Sequence, residues 1–277
     1  MTSWLKQQRE PLKSLTMRVE PLLLTAAAEA RRLLERYGIA KPDEIILEDI
    51  AWDLGVEVTT GSLTGAEAHL VRVGDCGTIT VSDQLTDHGA RRFAIAHELG
   101  HWQMHRAISQ MFFCTDSDMK EYRHSGAELE ANTFASEMLM PKAMIDPRSL
   151  SAEPTWDIIK QLSETFGVAP ISAAVRYVDL TKQPVMAVFS DCRNVKWWRE
   201  NRPRMDGLWL ESQQPLAKDS VAYYHAEAGE KAPELIQVPW DAWFPHCRRD
   251  EDEELFELAA TVDDRGTVMS LLWAPAR

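Results

Sequence analysis

The sequence predicts an α+β fold for the first half of the chain, and three observations support this. Apolar residues recur at helical spacing over residues 21–37 and 43–54, which predicts two helices. A long apolar segment over residues 93–102 predicts a third helix, one that is buried. Between them lie three short segments of strand character, at residues 56–60, 68–73 and 78–81. Helices, then a small sheet, then a further helix indicate an α+β arrangement.

The other predicted elements are shorter. Residues 74–77 (Gly-Asp-Cys-Gly) predict a hairpin turn between the second and third strand segments. Residues 1–20 are polar without a clear pattern, which predicts a loosely held N-terminal arm. Two short helices at residues 156–166 and 171–177 resemble a helix-turn-helix. Further strand-like segments follow at residues 185–189, 220–225, 235–238, 255–262 and 269–273.

The pentapeptide His97-Glu98-Leu99-Gly100-His101 lies inside the buried helix and has the pattern H-E-x-x-H. Residues four apart share one face of a helix, so His97 and His101 can direct two imidazoles at one cation. Glu98 is rotated by about 100° from this pair. A cation there would activate water and polarise a substrate carbonyl, while Glu98 takes the proton. This pattern is typical of a metal-dependent peptidase.

The alternative interpretation is a pair of partly buried core histidines. Two histidines and a glutamate in a buried helix would then need polar partners, because unpartnered polar groups are costly to bury. Gly100 also costs about 1 kcal/mol in a helix interior, which predicts that another backbone approaches closely there. Both observations favour the metal site.

A third ligand is predicted on a second helix. An extended H-E-x-x-H-x-x-G-x-x-H pattern would place a histidine at position 107, where this chain has Ala107. Residues 127–141 instead predict a helix that stops at Pro141. Glu128 and Asn132 lie four apart on one face of it, which makes Glu128 the candidate ligand and Asn132 a partner for a ligand histidine. The alternative for Glu128 is a solvated carboxylate at a helix start.

Three further residues are candidates around this site. Glu130 is a second acidic residue, but it points about 200° around the helix from Glu128. Residues 106–126 connect the two helices, and Tyr122 and His124 there are candidates to stabilise an oxyanion. The alternative for both is an ordinary loop role.

Residues 92–102, taken with residues 128–135 and 138–141, resemble the ImmA/IrrE family of metallopeptidases. Weaker resemblance extends over residues 42–58, 165–168 and 173–177, and His105 fits the family's usual continuation after the pentapeptide. The resemblance implies a zincin-like domain in which Glu128 is the third ligand. It also implies a regulator that cleaves a helix-turn-helix repressor and so induces stress-response or mobile-element genes.

The resemblance further implies a three-part organisation. An N-terminal arm (1–20) would precede a zincin-like metallopeptidase domain (21–148). A helix-turn-helix-like segment (149–182) and an α/β sensor-like C-terminal domain (183–277), for which a GAF-like fold is the candidate, would follow. Zn²⁺ is the expected cofactor and Mn²⁺ the alternative, since both accept two imidazoles and a carboxylate.

Composition excludes several classes of partner. The net charge of −13 argues against a polyanion. Residues 151–182 carry three basic and four acidic residues, so this segment cannot neutralise DNA phosphates. No apolar run reaches the roughly 20 residues of a membrane span. The four scattered cysteines predict reduced thiols in a cytoplasmic protein.

Two functions therefore stand. The favoured one is a regulatory metalloendopeptidase, with Glu98 as general base, His97, His101 and Glu128 as ligands, and a repressor as substrate. The alternative is a non-proteolytic metal-binding regulator that acts by binding a partner repressor or antitoxin. The intact Glu98 favours the peptidase, because a purely structural site has no use for this carboxylate.

Overall fold

A computed structural model describes residues 11–105, 111–115, 126–191, 193–201, 205, 208–228, 234–247, 253–262 and 266–275. The chain divides into two compact units, Met1–Met144 and Ile145–Arg277. The three-part organisation expected from the sequence remains a prediction. The two units are described separately below.

The first unit contains four described α-helices. They are α1 (Pro11–Arg36), α2 (Leu47–Asp53), α3 (His88–Met104) and α4 (Gly126–Leu139). The predicted helix at 21–37 begins earlier, at Pro11, and so includes residues 11–20 that were assigned to a loose arm. Proline is tolerated in the first turn, where its missing N–H has no helical partner. The rest of that arm lies outside the described residues.

The sheet of the first unit has four strands, β1 (Val56–Gly61), β2 (Ala66–Val73), β3 (Cys76–Ser82) and β4 (Met111–Thr115). Their order in the sheet is β1-β3-β2-β4. β1 pairs with β3 in parallel, and β2 is antiparallel to both β3 and β4. The predicted hairpin is confirmed, since Val73 pairs with Cys76 across a turn in which Gly74 has φ of +62°. β4 was not predicted, because its pairing with β2 joins segments that are far apart in sequence.

Helix α3 is fixed against this sheet at its C-terminal end. Its N-terminus is capped by Asp87, whose side chain accepts from the backbone N–H of Ala90 at 2.6 Å. At the other end, the ring of Trp102 lies against Gly77 of β3, where a Cβ would come within 2.7 Å of the ring. The guanidinium of Arg72 lies 3.4 Å over the same ring and donates to the Trp102 carbonyl at 2.7 Å. These contacts hold the H-E-x-x-H segment of α3 on the sheet.

The second unit has three described α-helices and a five-stranded sheet. The helices are α5 (Trp156–Phe166), α6 (Pro170–Leu180) and α7 (Val221–Ala228). The strands are β5 (Val185–Asp191), β6 (Asn194–Glu200), β7 (Ile236–Val238), β8 (Leu255–Thr261) and β9 (Val268–Trp273). They lie in the order β6-β5-β9-β8-β7, and every strand pairing is antiparallel.

Residues 220–225 were predicted to be a strand, and this prediction is wrong. They belong largely to helix α7, whose first turn is held by a buried carboxylate. Glu257 accepts from the backbone N–H groups of Val221 and Ala222, both at 2.8 Å. It also accepts from Trp243 Nε1 at 2.9 Å and Ser270 Oγ at 2.8 Å. These long-range bonds override the local strand propensity.

The α+β fold class is confirmed, with seven α-helices and two sheets in the described part of the chain. None of the described helices combines the length and the apolarity that crossing a bilayer requires. The sensor role of the second unit stays a prediction.

Candidate metal centre

The two motif histidines lie on one face of α3, in the fully buried middle of the helix. The Nε2 atoms of His97 and His101 are 3.1 Å apart, and neither side chain is exposed to solvent. A spacing of four residues places the two rings one above the other, as the sequence predicts. Both rings therefore present a nitrogen to the same small volume.

Helix α4 brings Glu128 to this volume. Its Oε2 is 3.2 Å from His97 Nε2, and its Oε1 is 3.3 Å from His101 Nε2. The helices approach closely because Gly100 has no side chain. A Cβ at this position would lie 3.1 Å from Ala131 Cα of α4. The close backbone approach predicted at Gly100 is confirmed.

The three side chains form a group that could hold a metal ion. Ligand atoms about 2.0–2.1 Å from a tetrahedral zinc are separated by about 3.3 Å. The observed separations of 3.1, 3.2 and 3.3 Å are close to this value. Two imidazoles and one carboxylate are also the donor set of a zinc site with an open position. The residues present therefore fit a divalent metal.

Burial and the neighbouring charges shift the pKa values of these three side chains in opposite directions. Burial lowers the pKa of His97, but its bond to Glu128 and the charges of Glu98 and Glu128 outweigh this and raise the pKa overall. Burial lowers the pKa of His101 to about 4. Burial raises the pKa of Glu128, yet its bonds to both histidines outweigh this and lower it well below its usual range. A carboxylate and at least one neutral imidazole are thus favoured, as metal binding requires.

Asn132 contacts the first of the two histidines. Its Oδ1 is 2.9 Å from His97 Nδ1, and its side chain is fully buried. An amide oxygen can only accept, so this bond places a proton of His97 on Nδ1, and the neutral ring then has its lone pair on Nε2. Asn132 lies where the sequence predicted a partner for a ligand histidine.

The sequence analysis missed the partners of His101. His105 is the residue directly after α3, and its Nδ1 is 2.9 Å from His101 Nδ1. Its Nε2 is 2.7 Å from Glu130 Oε2. Glu130 thus points away from the candidate ligands and towards His105. The repeated spacing of four from His97 through His101 to His105 was the signal that could have identified this contact.

Glu98 is fully buried on α3, next in sequence to His97. Its negative charge contributes to the raised pKa of His97. Tyr122 and His124, the predicted oxyanion stabilisers, lie outside the described residues.

Comparison with known proteins defines the class of this region. Residues 51–177 match a family model described as Peptidase_M78, IrrE N-terminal-like domain. Residues 51–177 are therefore similar to the IrrE-type peptidase domain, and the resemblance noted from the sequence is confirmed over this range.

A solved structure supports the fold over a longer range. A Mycobacterium tuberculosis transcriptional regulator superimposes with a TM-score of 0.56, at 16% identity, over 91% of this chain and 88% of its own. At this identity the likeness shows the fold alone. No curated protein matches the sequence.

Proposed function

We propose that the protein is a regulatory metalloendopeptidase that cleaves a helix-turn-helix transcriptional repressor in the cytoplasm. The observation that carries the proposal is the convergence of His97, His101 and Glu128 on one small volume, with the Glu98 carboxylate buried beside it. The similarity of residues 51–177 to a peptidase domain supports the reaction class. The repressor as substrate rests on the family resemblance.

In this proposal each side chain has one task. His97 and His101 would hold a divalent cation through Nε2, and Glu128 would hold it through its carboxylate. A divalent cation held there, Zn²⁺ or alternatively Mn²⁺, would supply Lewis acidity for a peptide carbonyl and for water. Glu98 accepts the proton of the attacking water and passes it to the departing amine. Burial of the site excludes bulk water and strengthens these electrostatic effects.

Asn132 has a positioning task. It holds the ring of His97 so that Nε2 faces the ligand position. The carboxylate of Glu98 has no use in a purely structural metal site, which favours turnover over simple binding.

The alternative function is a regulator that binds its partner without cutting it. The name of the structural neighbour, a transcriptional regulator, is compatible with this role. The two functions differ in one observable outcome: a peptidase cleaves the bound repressor, whereas a binding regulator leaves it uncut.

The test combines purified protein, Zn²⁺ or Mn²⁺, and the repressor that is encoded next to its gene. We expect cleavage at one site, located by mass spectrometry of the fragments, and no cleavage by Glu98→Gln, which keeps the metal ligands. Repressor that is bound but uncut by the wild type with every metal would favour the binding regulator. Full cleavage by Glu98→Gln would contradict the assigned mechanism.

A further inference from the structure

A histidine and a carboxylate lie in series behind His101, on the side away from the metal position. His101 Nδ1 is 2.9 Å from His105 Nδ1, and His105 Nε2 is 2.7 Å from Glu130 Oε2. Both rings are buried, and the side chain of Glu130 is only 16% exposed. The series joins the end of α3 to α4. Neither His105 nor Glu130 has a role in the proposed peptidase chemistry.

If both rings are neutral, only one placement of their protons satisfies the hydrogen bonds along the series. A neutral imidazole has its single proton on one nitrogen and a lone pair on the other. Because the Glu130 carboxylate can only accept, the contact at 2.7 Å requires the His105 proton on Nε2. His105 Nδ1 then has a lone pair and accepts from His101 Nδ1–H. The lone pair of His101 is therefore left on Nε2, the atom that faces Glu128.

The opposite arrangement is unfavourable at both ends. It would place a His105 lone pair 2.7 Å from the Glu130 carboxylate, so that two acceptors face each other with no proton between them. It would also place the His101 proton on Nε2, where it would occupy the position that a cation needs. Glu130 thus selects the arrangement that suits metal binding, although it does not touch the metal position.

We propose that His105 and Glu130 are positioning residues that together fix the tautomer and ring orientation of His101 for metal binding. The inference rests on the proposed function, in which His101 is a ligand. His97 obtains the same control directly, through Asn132 Oδ1 at 2.9 Å. The two ligand histidines are thus held in the same tautomer by different means. Partners of this kind typically change metal affinity by about 10–100-fold when removed.

The experiment measures zinc affinity of the metal-free full-length protein by competition with a chromophoric chelator. His105→Phe removes the acceptor for His101 and is expected to weaken zinc binding about 10–100-fold. Glu130→Leu removes the anchor and is expected to act in the same direction. Glu130→Gln keeps an oxygen that accepts from His105 Nε2–H, so it is expected to restore most of the affinity lost in Glu130→Leu.

A control on the same helix is available at Thr133. Its hydroxyl donates to the Leu129 carbonyl within α4 at 2.8 Å and takes no part in the series. Thr133→Val is therefore expected to bind zinc as the wild type does. The melting temperature of every variant is measured in parallel. Should His105→Phe fail to fold, the comparison of Glu130→Leu with Glu130→Gln decides the matter.

The second readout is the tautomer itself, from ¹⁵N spectra of the histidine-labelled, metal-free protein. We expect the proton of His101 on Nδ1 in the wild type and a mixture of tautomers in Glu130→Leu, which a merely structural role would not produce. Wild-type zinc affinity in both His105→Phe and Glu130→Leu, or a His101 tautomer that is the same in Glu130→Leu as in the wild type, would overturn the inference.

These outcomes are distinct from those of the proposed function. Zinc affinity and tautomer are measured without substrate, so an uncut repressor contradicts the peptidase but leaves the positioning role standing. Wild-type protein that binds neither Zn²⁺ nor Mn²⁺ contradicts both.

Discussion

Replacing Gly100 with alanine tests whether the close approach of α3 and α4 sets the spacing of the ligands. The added Cβ would lie 3.1 Å from Ala131 Cα and 3.2 Å from Phe134 Cδ1, whereas ordinary contacts begin at 3.4 Å. Helix α4 must then retreat by a few tenths of an ångström. Glu128 lies on α4 one turn before Ala131, so it moves away from both histidines.

The expected magnitude follows from two opposing effects. Overpacking of a tight contact costs about 1–3 kcal/mol. Alanine is about 1 kcal/mol more favourable than glycine in a helix interior, and this offsets part of the cost. The net loss of stability in Gly100→Ala is therefore about 0–2 kcal/mol. Metal binding must pull α4 back against this overlap, and a cost of about 1–3 kcal/mol corresponds to a roughly 5–150-fold weaker zinc affinity.

The assay pairs zinc competition with urea unfolding. Gly126→Ala is the matched control, because it is the same substitution at the start of α4 and a Cβ there has no neighbour within 4 Å. We expect the control to keep wild-type zinc affinity. Zinc binding by Gly100→Ala at wild-type affinity, with unchanged stability, would refute the argument that this glycine sets the ligand spacing.

Three further substitutions have expected outcomes. Glu128→Ala removes the carboxylate ligand and is expected to lower zinc affinity at least about 100-fold in the same competition assay, while near-wild-type affinity would exclude Glu128 as a ligand. Gly77→Ala places a Cβ 2.7 Å from the buried Trp102 ring and is expected to cost about 1–3 kcal/mol in urea unfolding; unchanged stability would contradict the contact. Glu257→Leu removes an acceptor that holds four hydrogen bonds and is expected to cost about 3 kcal/mol or more, which differential scanning calorimetry would detect as a lower melting temperature of the second unit. An unaltered transition would show that these bonds contribute little.

The sequence predicted the elements whose signals are local. His97, Glu98 and His101 lie within five residues on one helix, so helical geometry alone predicts their common site. The choice of Glu128 over Glu130 also followed from helical spacing. These local arguments agree with where the structure places the side chains.

The features that sequence analysis missed depend on contacts between distant segments. β4 is a strand because it pairs with β2, some forty residues earlier in the chain. Residues 221–228 form α7 because Glu257 supplies a carboxylate to the first turn from another element. The pairing of His105 with Glu130 likewise depends on how α3 packs against α4. No periodicity within a single segment contains this information.

The most direct test of the metal centre is a crystal structure of the protein grown with Zn²⁺, with data collected on both sides of the zinc absorption edge. We expect one anomalous peak per chain in the first unit, about 2.0–2.2 Å from His97 Nε2, His101 Nε2 and a Glu128 carboxylate oxygen. No peak between these three side chains, or a peak held by other residues, would contradict the account.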